Sequence, residues 1–447
     1  MTPRPTGETG RQVVHILAGV PALALRWLSG GQAAAAAATA VLFNLIVLPR
    51  LLPGILRPGD TGRPWQSGVV LYPAAVLGLV LCFPRRLDIV AIAWAILAAG
   101  DGFATLVGRA VRTPALPWNR EKTIAGLAAF VLFGTTAGTA TGFWMTGVFF
   151  GSDWSWFLLV VPALAAGIAA FAETTPIRLN DNVTVPAAAA FVLWSFSFVE
   201  EQAARASLGP ALDALLPAAA LNVVVAGAGW LARTVTLPGA LVGAGIGITV
   251  YVGTGPAGWA LLFVAFLAAT LATRLGFRRK VAAGIAEARG GRRGPGNAIA
   301  NTGLAAWAAA LSLGMSDPRL AVLAMVAALV TASSDTIASE AGKAWGRTTW
   351  LPTAFRRVTP GTIGAVSVEG TAAGIVSAAA LAGCAAWLGL ISAGWIVTVV
   401  AAATVASFVE GLLGAAFERS GILNNDASNL LNTAMGAGLA LAWAGVP

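Results

Sequence analysis

Residues 88–111 read DIVAIAWAILAAGDGFATLVGRAV, an apolar run that carries Asp101 in its interior. A helix that crosses a bilayer needs about 20 such residues. Comparable runs, separated by Pro, Gly and charged residues, recur along the whole chain and indicate about 15 spans. The predicted spans are 12–28, 32–52, 67–83, 88–111, 123–146, 154–173, 183–199, 210–232, 238–254, 256–275, 297–314, 319–340, 364–388, 390–417 and 427–445. We therefore predict an all-α, polytopic helical membrane protein.

Composition agrees with that prediction and limits the chemistry. Of the 447 residues, 57% are hydrophobic and 11% are charged, which leaves no room for a separate aqueous catalytic domain. One histidine and two cysteines, Cys82 and Cys384, exclude the usual ligand sets of zinc, haem and iron–sulfur sites. Any metal cofactor is expected to be a hard, oxygen-liganded cation such as Mg²⁺.

The positions of Lys and Arg predict the topology. With a cytoplasmic N-terminus, 23 of the 28 basic residues fall on the cytoplasmic side of the predicted spans. The remaining basic residues are Arg26, Arg85, Arg86, Arg205 and Arg319. This topology accounts for the net charge of +9. We therefore expect a lipid bilayer as partner and no nucleic acid. Binding of anionic substrates is a second, weaker explanation of that charge.

We expect the chain to reside in the inner membrane, with its polar motifs facing the cytoplasm. No cleavable signal peptide is expected, because the first apolar run begins only after Arg11. The polar stretch EEQAAR at 200–205 separates about seven predicted helices from about eight. The sequence thus predicts two helical bundles, with domains at 1–200 and 207–447.

The first half holds a carboxylate deep in an apolar helix. An ionised Asp101 there costs several kcal/mol unless it is paired or binds a cation, so it is a candidate metal ligand, although a bond to a neighbouring helix would also explain it. Gly102 and Gly108 could let a nucleotide approach the backbone, and Arg109 lies beyond them at the same helix end.

Two further polar segments are predicted to reach the same membrane face. In PWNREKTIAG, 117–126, Lys122 precedes a helix start and suits a phosphate, although an ordinary topogenic loop is an alternative. In AETTPIRLNDNVTVP, 172–186, polar oxygens could ligate Mg²⁺ or bind a ribose or base, or only cap a helix. The candidates in this segment are Glu173, Asn180, Asp181 and Asn182.

Taken in order, and preceded by Arg11 and His15, these motifs resemble the CTP-dependent polyprenol kinase family over roughly residues 10–200. That family includes phytol kinase, dolichol kinase and the CTP-type diacylglycerol kinase. The resemblance implies transfer of the γ-phosphate of CTP to a membrane-embedded prenyl alcohol. It also implies that Asp101 and Asp181 handle Mg²⁺ and nucleotide, that Lys122 holds phosphate, and that Glu173 is a further acidic member. His15 is either a base for the alcohol or a packed histidine.

The second half contains another candidate anion site. In TASSDTIASEAGKAWG, 331–346, Asp335 and Ser339 lie one helical turn apart, with Glu340 adjacent. Two carboxylates at the end of an apolar helix repel each other unless a cation lies between them, and Mg²⁺ would serve; a helix end that has reached water is the alternative. RRGPGNAIANTG, 292–303, supplies two candidate phosphate ligands, Arg293 and Asn301.

Two later motifs complete the candidate site. VTPGTIGAVSVEGTAAG, 358–374, has the glycines and hydroxyls of a phosphate cradle, and its candidate residues are Gly361, Thr362, Gly364 and Ser367. Asp426, in NNDASN, is a candidate metal ligand or a member of an ordinary N-cap cluster.

The order DTIASE, PGTIGAVSVEGT and NNDASN resembles an integral-membrane family that includes phytyl-phosphate kinase of plants and its bacterial relatives, over about residues 215–445. The resemblance implies a second phosphorylation, from prenyl monophosphate to diphosphate. Together the two resemblances predict a bifunctional kinase that uses CTP or another NTP with Mg²⁺. The alternatives are a cytidylyltransferase that forms a CDP-lipid and a non-enzymatic transporter of anionic lipids.

Overall fold

The computed structural model describes residues 7–51, 65, 67–147, 157–175, 179–418 and 423–445. Its chain divides into two compact units, Met1–Phe198 and Val199–Pro447, called the first and second unit below. Helices of the first unit are α1 Gly7–Leu17, α2 Gly30–Leu42, α3 Leu48–Leu51, α4 Gly68–Cys82, α5 Leu87–Ile96, α6 Gly102–Ala110, α7 Ile124–Thr146, α8 Phe157–Thr174 and α9 Asp181–Phe196. Those of the second are α10 Glu201–Leu231, α11 Leu237–Arg274, α12 Phe277–Ala282, α13 Pro295–Ser312, α14 Arg319–Trp345, α15 Val368–Trp387, α16 Ile396–Leu413 and α17 Asn425–Trp443.

Nine helical segments in the described part of the chain are long and apolar enough to cross a membrane. They are Gly30–Leu51, Leu87–Ala110, Ile124–Thr146, Phe157–Thr174, Glu201–Leu231, Leu237–Arg274, Arg319–Trp345, Val368–Trp387 and Ala393–Phe417. The predicted all-α, polytopic membrane class is confirmed. Five basic residues of the topology count, Arg4, Arg57, Arg63, Arg178 and Arg419, lie outside the described residues.

Some predicted spans are shorter or divided in the structure. Residues 12–28 fall on two short segments, α1 and the 3-10 helix Val20–Trp27. Helices α4 and α9 have 15 and 16 residues, fewer than a spanning helix usually needs. Hydropathy counts apolar residues without locating helix ends, and this is why the predicted spans outnumber the long helices.

Helix α11 folds back on itself at Gly255, whose φ of +72° only glycine adopts readily. Added side-chain atoms at Gly239 would lie 2.5 Å from the carbonyl oxygen of Arg293, while the Arg293 guanidinium carbon lies 6.0 Å from the ring centre of Phe266. In a straight helix residues 239 and 266 would be about 40 Å apart, so one arginine could not reach both. The predicted break between 254 and 256 is therefore confirmed, and the chain forms a helical hairpin.

Each unit is built around one deeply buried helix. Of the nine candidate spans, Leu87–Ala110 in the first unit and Arg319–Trp345 in the second have the largest buried shares, 61% and 67%. These two helices carry Asp101 and Asp335. An acidic side chain in the interior of a central helix is where a charge is least compatible with its surroundings.

A small sheet follows α14. Strand β1, Thr349–Leu351, pairs antiparallel with β2, Arg356–Arg357, and with β3, Val366–Ser367, and the strand order is β2-β1-β3. The sheet leads directly into α15, whose N-cap Ser367 accepts a hydrogen bond from the backbone N–H of Gly370 at 3.1 Å. This arrangement holds the start of α15 beside the end of α14, since a Cβ at Gly342 would lie 2.9 Å from Ser367 Oγ.

Candidate functional site

In the first unit, a lysine lies between two carboxylates. Lys122 precedes α7, and its Nζ lies 2.5 Å from Glu173 Oε1 at the end of α8 and 3.5 Å from Asp181 Oδ2 at the start of α9. Glu173 is buried, while the Lys122 side chain is 29% exposed. Three separate segments thus bring one cation and two anions together, as the sequence analysis expected for this membrane face.

The two carboxylates beside Lys122 keep its ammonium group protonated. Burial by itself lowers the pKa of the ammonium group, but attraction to Glu173 and Asp181 outweighs burial, so the pKa lies above the ordinary lysine value. Lys122 therefore stays protonated throughout the neutral range. A permanently charged lysine with one side open can accept a further anion such as a phosphate oxygen.

Asp101 joins this group from the central helix. It ends a π-helical turn, Leu97–Asp101, between α5 and α6, and it lies within electrostatic reach of Lys122 and Asp181. Such turns often occur at functional sites because they re-aim side chains. We call His15, Asp101, Lys122, Glu173 and Asp181 the first cluster.

His15, which the sequence left between two roles, lies next to Asp101. Its Nε2 is 3.3 Å from Asp101 Oδ2, and its ring meets the Tyr72 ring edge-on at 4.9 Å between centroids. Tyr72 Oη in turn accepts a hydrogen bond from Trp94 Nε1 at 2.9 Å. His15 is thus both packed and in contact with the acidic group, and no sequence spacing could have shown this.

Other predicted residues near the first cluster have structural roles. A Cβ at Gly102 would lie 2.3 Å from Ile16 Cγ1, and one at Gly108 would lie 3.0 Å from Thr123 Oγ1, so neighbouring helices fill the space that a nucleotide was expected to use. Asn180 is the N-cap of α9 and accepts a hydrogen bond from the backbone N–H of Asn182. Arg109 lies exposed at the end of α6.

The side-chain oxygen of Asn182, unlike that of Asn180, accepts no hydrogen bond from the described residues. Asn182 Oδ1 is buried and has no hydrogen-bond partner among the described residues. A buried acceptor without a donor is costly. Of the three predicted polar residues at the start of α9, Asn182 is therefore the one with an unused hydrogen-bonding atom.

In the second unit, two lysines hold one carboxylate. Lys280 Nζ on α12 lies 2.5 Å from Glu340 Oε2, and Lys343 Nζ lies 2.9 Å from Glu340 Oε1. Lys343 also lies 3.0 Å from Glu287 Oε1. Two lysines thus supply positive charge to Glu340, while a Mg²⁺ ion between Asp335 and Glu340 stays a prediction. We call Lys280, Glu287, Asp335, Glu340 and Lys343 the second cluster.

Sequence reasoning missed two members of the second cluster, Glu287 and Lys280. Lys280 is the buried one of the two. Its side chain is fully buried and also donates to the carbonyl oxygens of Thr273 at 2.7 Å and Ala272 at 3.3 Å. It stands in a run of seven basic residues, 274–293, which reads as an ordinary topogenic loop. Because a fully buried lysine requires acceptors for its protons, the loop must fold so that Lys280 reaches the end of α11 and Glu340 on α14.

Asp335 remains without a partner. Among the described residues it makes no hydrogen bond and no ion pair, and the positive charge that acts on it is that of Lys343. Ser339, one turn further along α14, is exposed. A carboxylate in the central helix with unused oxygens fits a ligand for an oxygen-coordinated cation.

A basic cavity adjoins the second cluster. It has a volume of about 650 Å³, and its wall includes Thr273, which accepts the Lys280 hydrogen bond. Four arginines line it: Arg233, Arg274, Arg278 and Arg279. Arg233 holds a left-handed backbone with φ of +54°, which costs a non-glycine residue about 1 kcal/mol. Among the described residues that line this cavity there is no carboxylate, so it suits a polyanion.

The remaining predicted residues of the second unit are spread over several elements. Arg293 and Asn301 line a groove against α10 and α11, described below. Gly361 and Gly364 occupy positive-φ turns with φ of +86° and +75°, and Thr362 Oγ1 donates to the Thr359 carbonyl oxygen, so turn geometry accounts for all three.

Asp426 lies against the start of α13. A Cβ at Gly296 would lie 2.3 Å from Asp426 Oδ2. Asn424 rather than Asp426 is the N-cap of α17, since Asn424 Oδ1 accepts a hydrogen bond from the backbone N–H of Ala427 at 2.8 Å. Asp426 lies in the first turn of α17, directly behind this N-cap, so the structure agrees with the alternative of an N-cap cluster.

No group of three His, Cys, Asp or Glu side chains positioned to hold a metal occurs within the described residues. Mg²⁺ in phosphate-transferring sites is usually held by one or two carboxylates together with substrate phosphates. Asp101 with Asp181, and Asp335 by itself, fit that mode of binding. Of the predicted metal ligands, Asp101 and Asp181 thus belong to the first cluster and Asp335 to the second, while Asp426 lies against Gly296.

Comparison with known proteins gives a consistent family relationship. The model of the integral membrane protein family DUF92 matches residues 220–437. Uncharacterized membrane protein sll0875 of Synechocystis sp. is 40% identical over 199 residues, which are 44% of this chain and 77% of that protein. Protein VTE6, chloroplastic, of Arabidopsis thaliana is 38% identical over 194 residues, 42% of this chain and 58% of that protein.

Relatives named as kinases also match. Probable phytol kinase 2, chloroplastic, of Glycine max is 29% identical over 191 residues, 41% of this chain and 65% of that protein. The matched part thus spans less than two thirds of this relative and of VTE6. No solved structure matches the chain.

Proposed function

The chain belongs to the DUF92 family of integral membrane proteins, and from this premise we propose that it is a membrane phosphotransferase acting on a prenyl alcohol in two steps. The first unit converts the alcohol to the monophosphate, and the second converts the monophosphate to the diphosphate. The relatives named as phytol kinases support the substrate class. CTP is the proposed donor of the first step, and CTP or another NTP that of the second.

The observation that carries this assignment is the difference in charge between the two clusters. Around Lys122 the first cluster gathers three carboxylates, Asp101, Glu173 and Asp181. The second cluster also has three carboxylates, Glu287, Asp335 and Glu340, but it has two lysines and adjoins a cavity lined by four arginines. An alcohol is neutral, whereas a prenyl monophosphate carries nearly two negative charges at neutral pH. The more basic site is the one suited to two anionic substrates at once.

The first step requires removal of a proton from the alcohol. The alcohol oxygen bonds to the γ-phosphorus, the bond to the bridging oxygen breaks, and the nucleoside diphosphate leaves. A base must accept the hydroxyl proton. The single histidine of the chain, His15, lies 3.3 Å from Asp101 in the first unit, and this pair can take that proton.

The second step has no such requirement. A phosphate monoester oxygen is already deprotonated at neutral pH, so it can attack the γ-phosphorus directly. Charge neutralisation is then the main demand on the protein. Lys343 and the arginines of the basic cavity supply positive charge without a histidine.

Magnesium is the proposed cofactor of both steps. Asp101 and Asp181 would hold it in the first unit and Asp335 in the second, and the ion would neutralise charge on the transferring phosphate. Lys122 would position a phosphate in the first unit. We further propose that both sites face the cytoplasm, where soluble nucleotides are found, with the N-terminus on the same side and the protein in the inner membrane.

Incubating the purified full chain in lipid nanodiscs with CTP labelled at the γ-phosphate, Mg²⁺ and geranylgeraniol or phytol tests the proposal. The expected products are labelled prenyl monophosphate followed by diphosphate, identified by mass spectrometry. A lipid carrying CMP would instead indicate a cytidylyltransferase. Movement of an anionic lipid across the bilayer without consumption of nucleotide would indicate a transporter.

A further inference from the structure

A groove in the second unit lies between α10, the two arms of the α11 hairpin and α13. Its walls are apolar and include Val225, Ala226, Leu262, Phe263 and Phe266. The floor follows Gly239, Gly243 and Gly247, which lie on one face of α11 because they are four residues apart. The three glycines span about 12 Å along the axis of α11.

Neighbouring atoms pack tightly against the outer two of these glycines but not against the central one. A Cβ at Gly239 would lie 2.5 Å from the Arg293 carbonyl oxygen, and one at Gly247 would lie 1.9 Å from Asn222 Oδ1. A Cβ at Gly243 would meet nothing within 4 Å. The central glycine therefore borders empty space, and packing between helices does not explain the absence of a side chain there.

One end of the groove is polar and positively charged. The backbone of Arg293 is fixed by hydrogen bonds with Thr234 and Thr236, both at 3.0 Å. The guanidinium group of Arg293 makes no hydrogen bond or ion pair with any described residue and lies over the Phe266 ring. Asn297 Oδ1, also in the lining, is buried without a hydrogen-bond partner.

The start of α13 adds to the positive potential at this end. Gly294 is the N-cap of this 18-residue helix, and both Gly294 and Asn297 line the groove. Backbone N–H groups at a helix start attract anions. Glu340 of the second cluster is one of two carboxylates close enough to act on the Arg293 charge, so this end of the groove adjoins the proposed phosphoryl-transfer site.

We propose that the groove binds the prenyl monophosphate consumed in the second step, with its phosphate at Arg293 and the start of α13 and its chain along Gly243. This assignment rests on the proposed function. A cavity of about 120 Å³ holds only the part of the chain next to the phosphate, and the rest extends into the bilayer. The apolar walls and the single unpaired cation match a one-chain lipid with an anionic head.

Photolabelling in nanodiscs tests the groove without requiring turnover. The probe is geranylgeranyl monophosphate with a diazirine on its second isoprene unit, and labelled residues are located by peptide mass spectrometry. In the wild-type chain, label is expected on groove residues such as Phe263 and Ala226. Gly243→Leu fills the open centre of the groove and should reduce this label about tenfold, a loss of about 1.4 kcal/mol in binding.

Gly245→Leu is the matched control, because Gly245 lies on the same helix, has open space beside it and is exposed outside the groove. Its labelling should equal that of the wild type. Ala226→Leu fills the groove from the opposite wall and should reproduce the Gly243→Leu result, which guards against misfolding of one variant. Arg293→Gln should reduce labelling by the phosphate probe and spare labelling by the corresponding alcohol probe.

Equal labelling in Gly243→Leu, Ala226→Leu and Gly245→Leu would overturn the groove assignment. Competition by phosphatidylglycerol but not by unlabelled geranylgeranyl monophosphate would overturn it in favour of a membrane phospholipid. Labelling without any turnover by the wild type would remove the proposed function and leave the groove as a prenyl phosphate site. Turnover with label elsewhere would remove the groove and leave the function.

Discussion

The two charged clusters are arranged in opposite ways. In the first unit one lysine, Lys122, is shared by two carboxylates, Glu173 and Asp181. In the second unit one carboxylate, Glu340, is shared by two lysines, Lys280 and Lys343. Each cluster is accompanied by an aspartate from the central helix of its unit. Under the proposed function, the additional lysine of the second cluster and the arginines of the adjoining cavity would serve an acceptor that is itself anionic, whereas the acceptor of the first unit is neutral.

Exposure differs between the clusters as well. Lys122 is 29% exposed, whereas Lys280 is completely buried. A partly exposed lysine can meet a substrate, while a buried one mainly holds its carboxylate in place. We therefore expect Lys122 to matter chiefly for activity and Lys280 chiefly for stability.

The largest expected effect is a separation of the two steps. Asp101→Asn should lower phosphorylation of the alcohol at least about a hundredfold, because metal-assisted charge neutralisation contributes several kcal/mol. It should leave conversion of supplied monophosphate unchanged, and Asp335→Asn should do the reverse. Both rates are measured with labelled CTP in nanodiscs, and loss of both steps in either variant would refute two separable sites.

A stability contrast should separate the two lysines. Lys280→Met leaves a buried glutamate with one cation fewer and should lower the free energy of unfolding by about 3 kcal/mol. Lys122→Met should cost less stability, since Lys122 is partly solvated, but should abolish the first step. Thermal unfolding in detergent measures the difference. The double variant Lys280→Met/Glu340→Gln should recover part of the loss, and equal melting temperatures of the two single variants would argue against this contrast.

The basic cavity should act only in the second step. Arg278→Gln or Arg279→Gln should raise the KM for nucleotide in monophosphate conversion about tenfold, corresponding to one lost charge-assisted contact. Phosphorylation of the alcohol should not change. Arg319→Gln is the control, because Arg319 is an exposed arginine paired with Asp317 and lies outside the cavity. An unchanged nucleotide KM in both cavity variants would show that the cavity does not bind the nucleotide of the second step.

The smallest expected effect concerns His15. His15→Gln should slow the first step about tenfold, toward the low end for loss of a general base, because Asp101 can still accept a proton. The second step should keep its wild-type rate. Comparing the two rates in one preparation measures the effect, and a loss shared by both steps would indicate a structural role for His15 instead.

Much of the architecture could be predicted from sequence because bilayer crossing depends on simple composition. Apolar runs gave the helical membrane class, and the turn before Pro256 gave the hairpin break. Asp101 and Lys122 were recognisable since charges near apolar helices are rare. Their closeness to Glu173 and Asp181 depends on helix packing, which one sequence does not specify.

The second cluster shows where sequence reasoning fails. Lys280 reads as one of seven basic loop residues, and only the fold reveals it as a buried partner of Glu340. The loop arginines likewise become candidate ligands for an anion only in the fold, where α10, α11 and α12 bring them around one cavity. For Gly102 and Gly361 the sequence suggested a ligand contact, and the structure shows a helix contact and a turn instead. Glycine is equally suited to all three, so the sequence does not distinguish them.

Complementation between two variants that each lack one step is the decisive test of one site for each step. Asp101→Asn and Asp335→Asn proteins are reconstituted together in the same liposomes with labelled CTP, Mg²⁺ and geranylgeraniol, and each is also assayed alone. The account predicts that the mixture forms prenyl diphosphate while neither variant alone does so, because the Asp335→Asn protein supplies monophosphate to the Asp101→Asn protein. Absence of diphosphate from the mixture, with both variants folded, would contradict one site for each step.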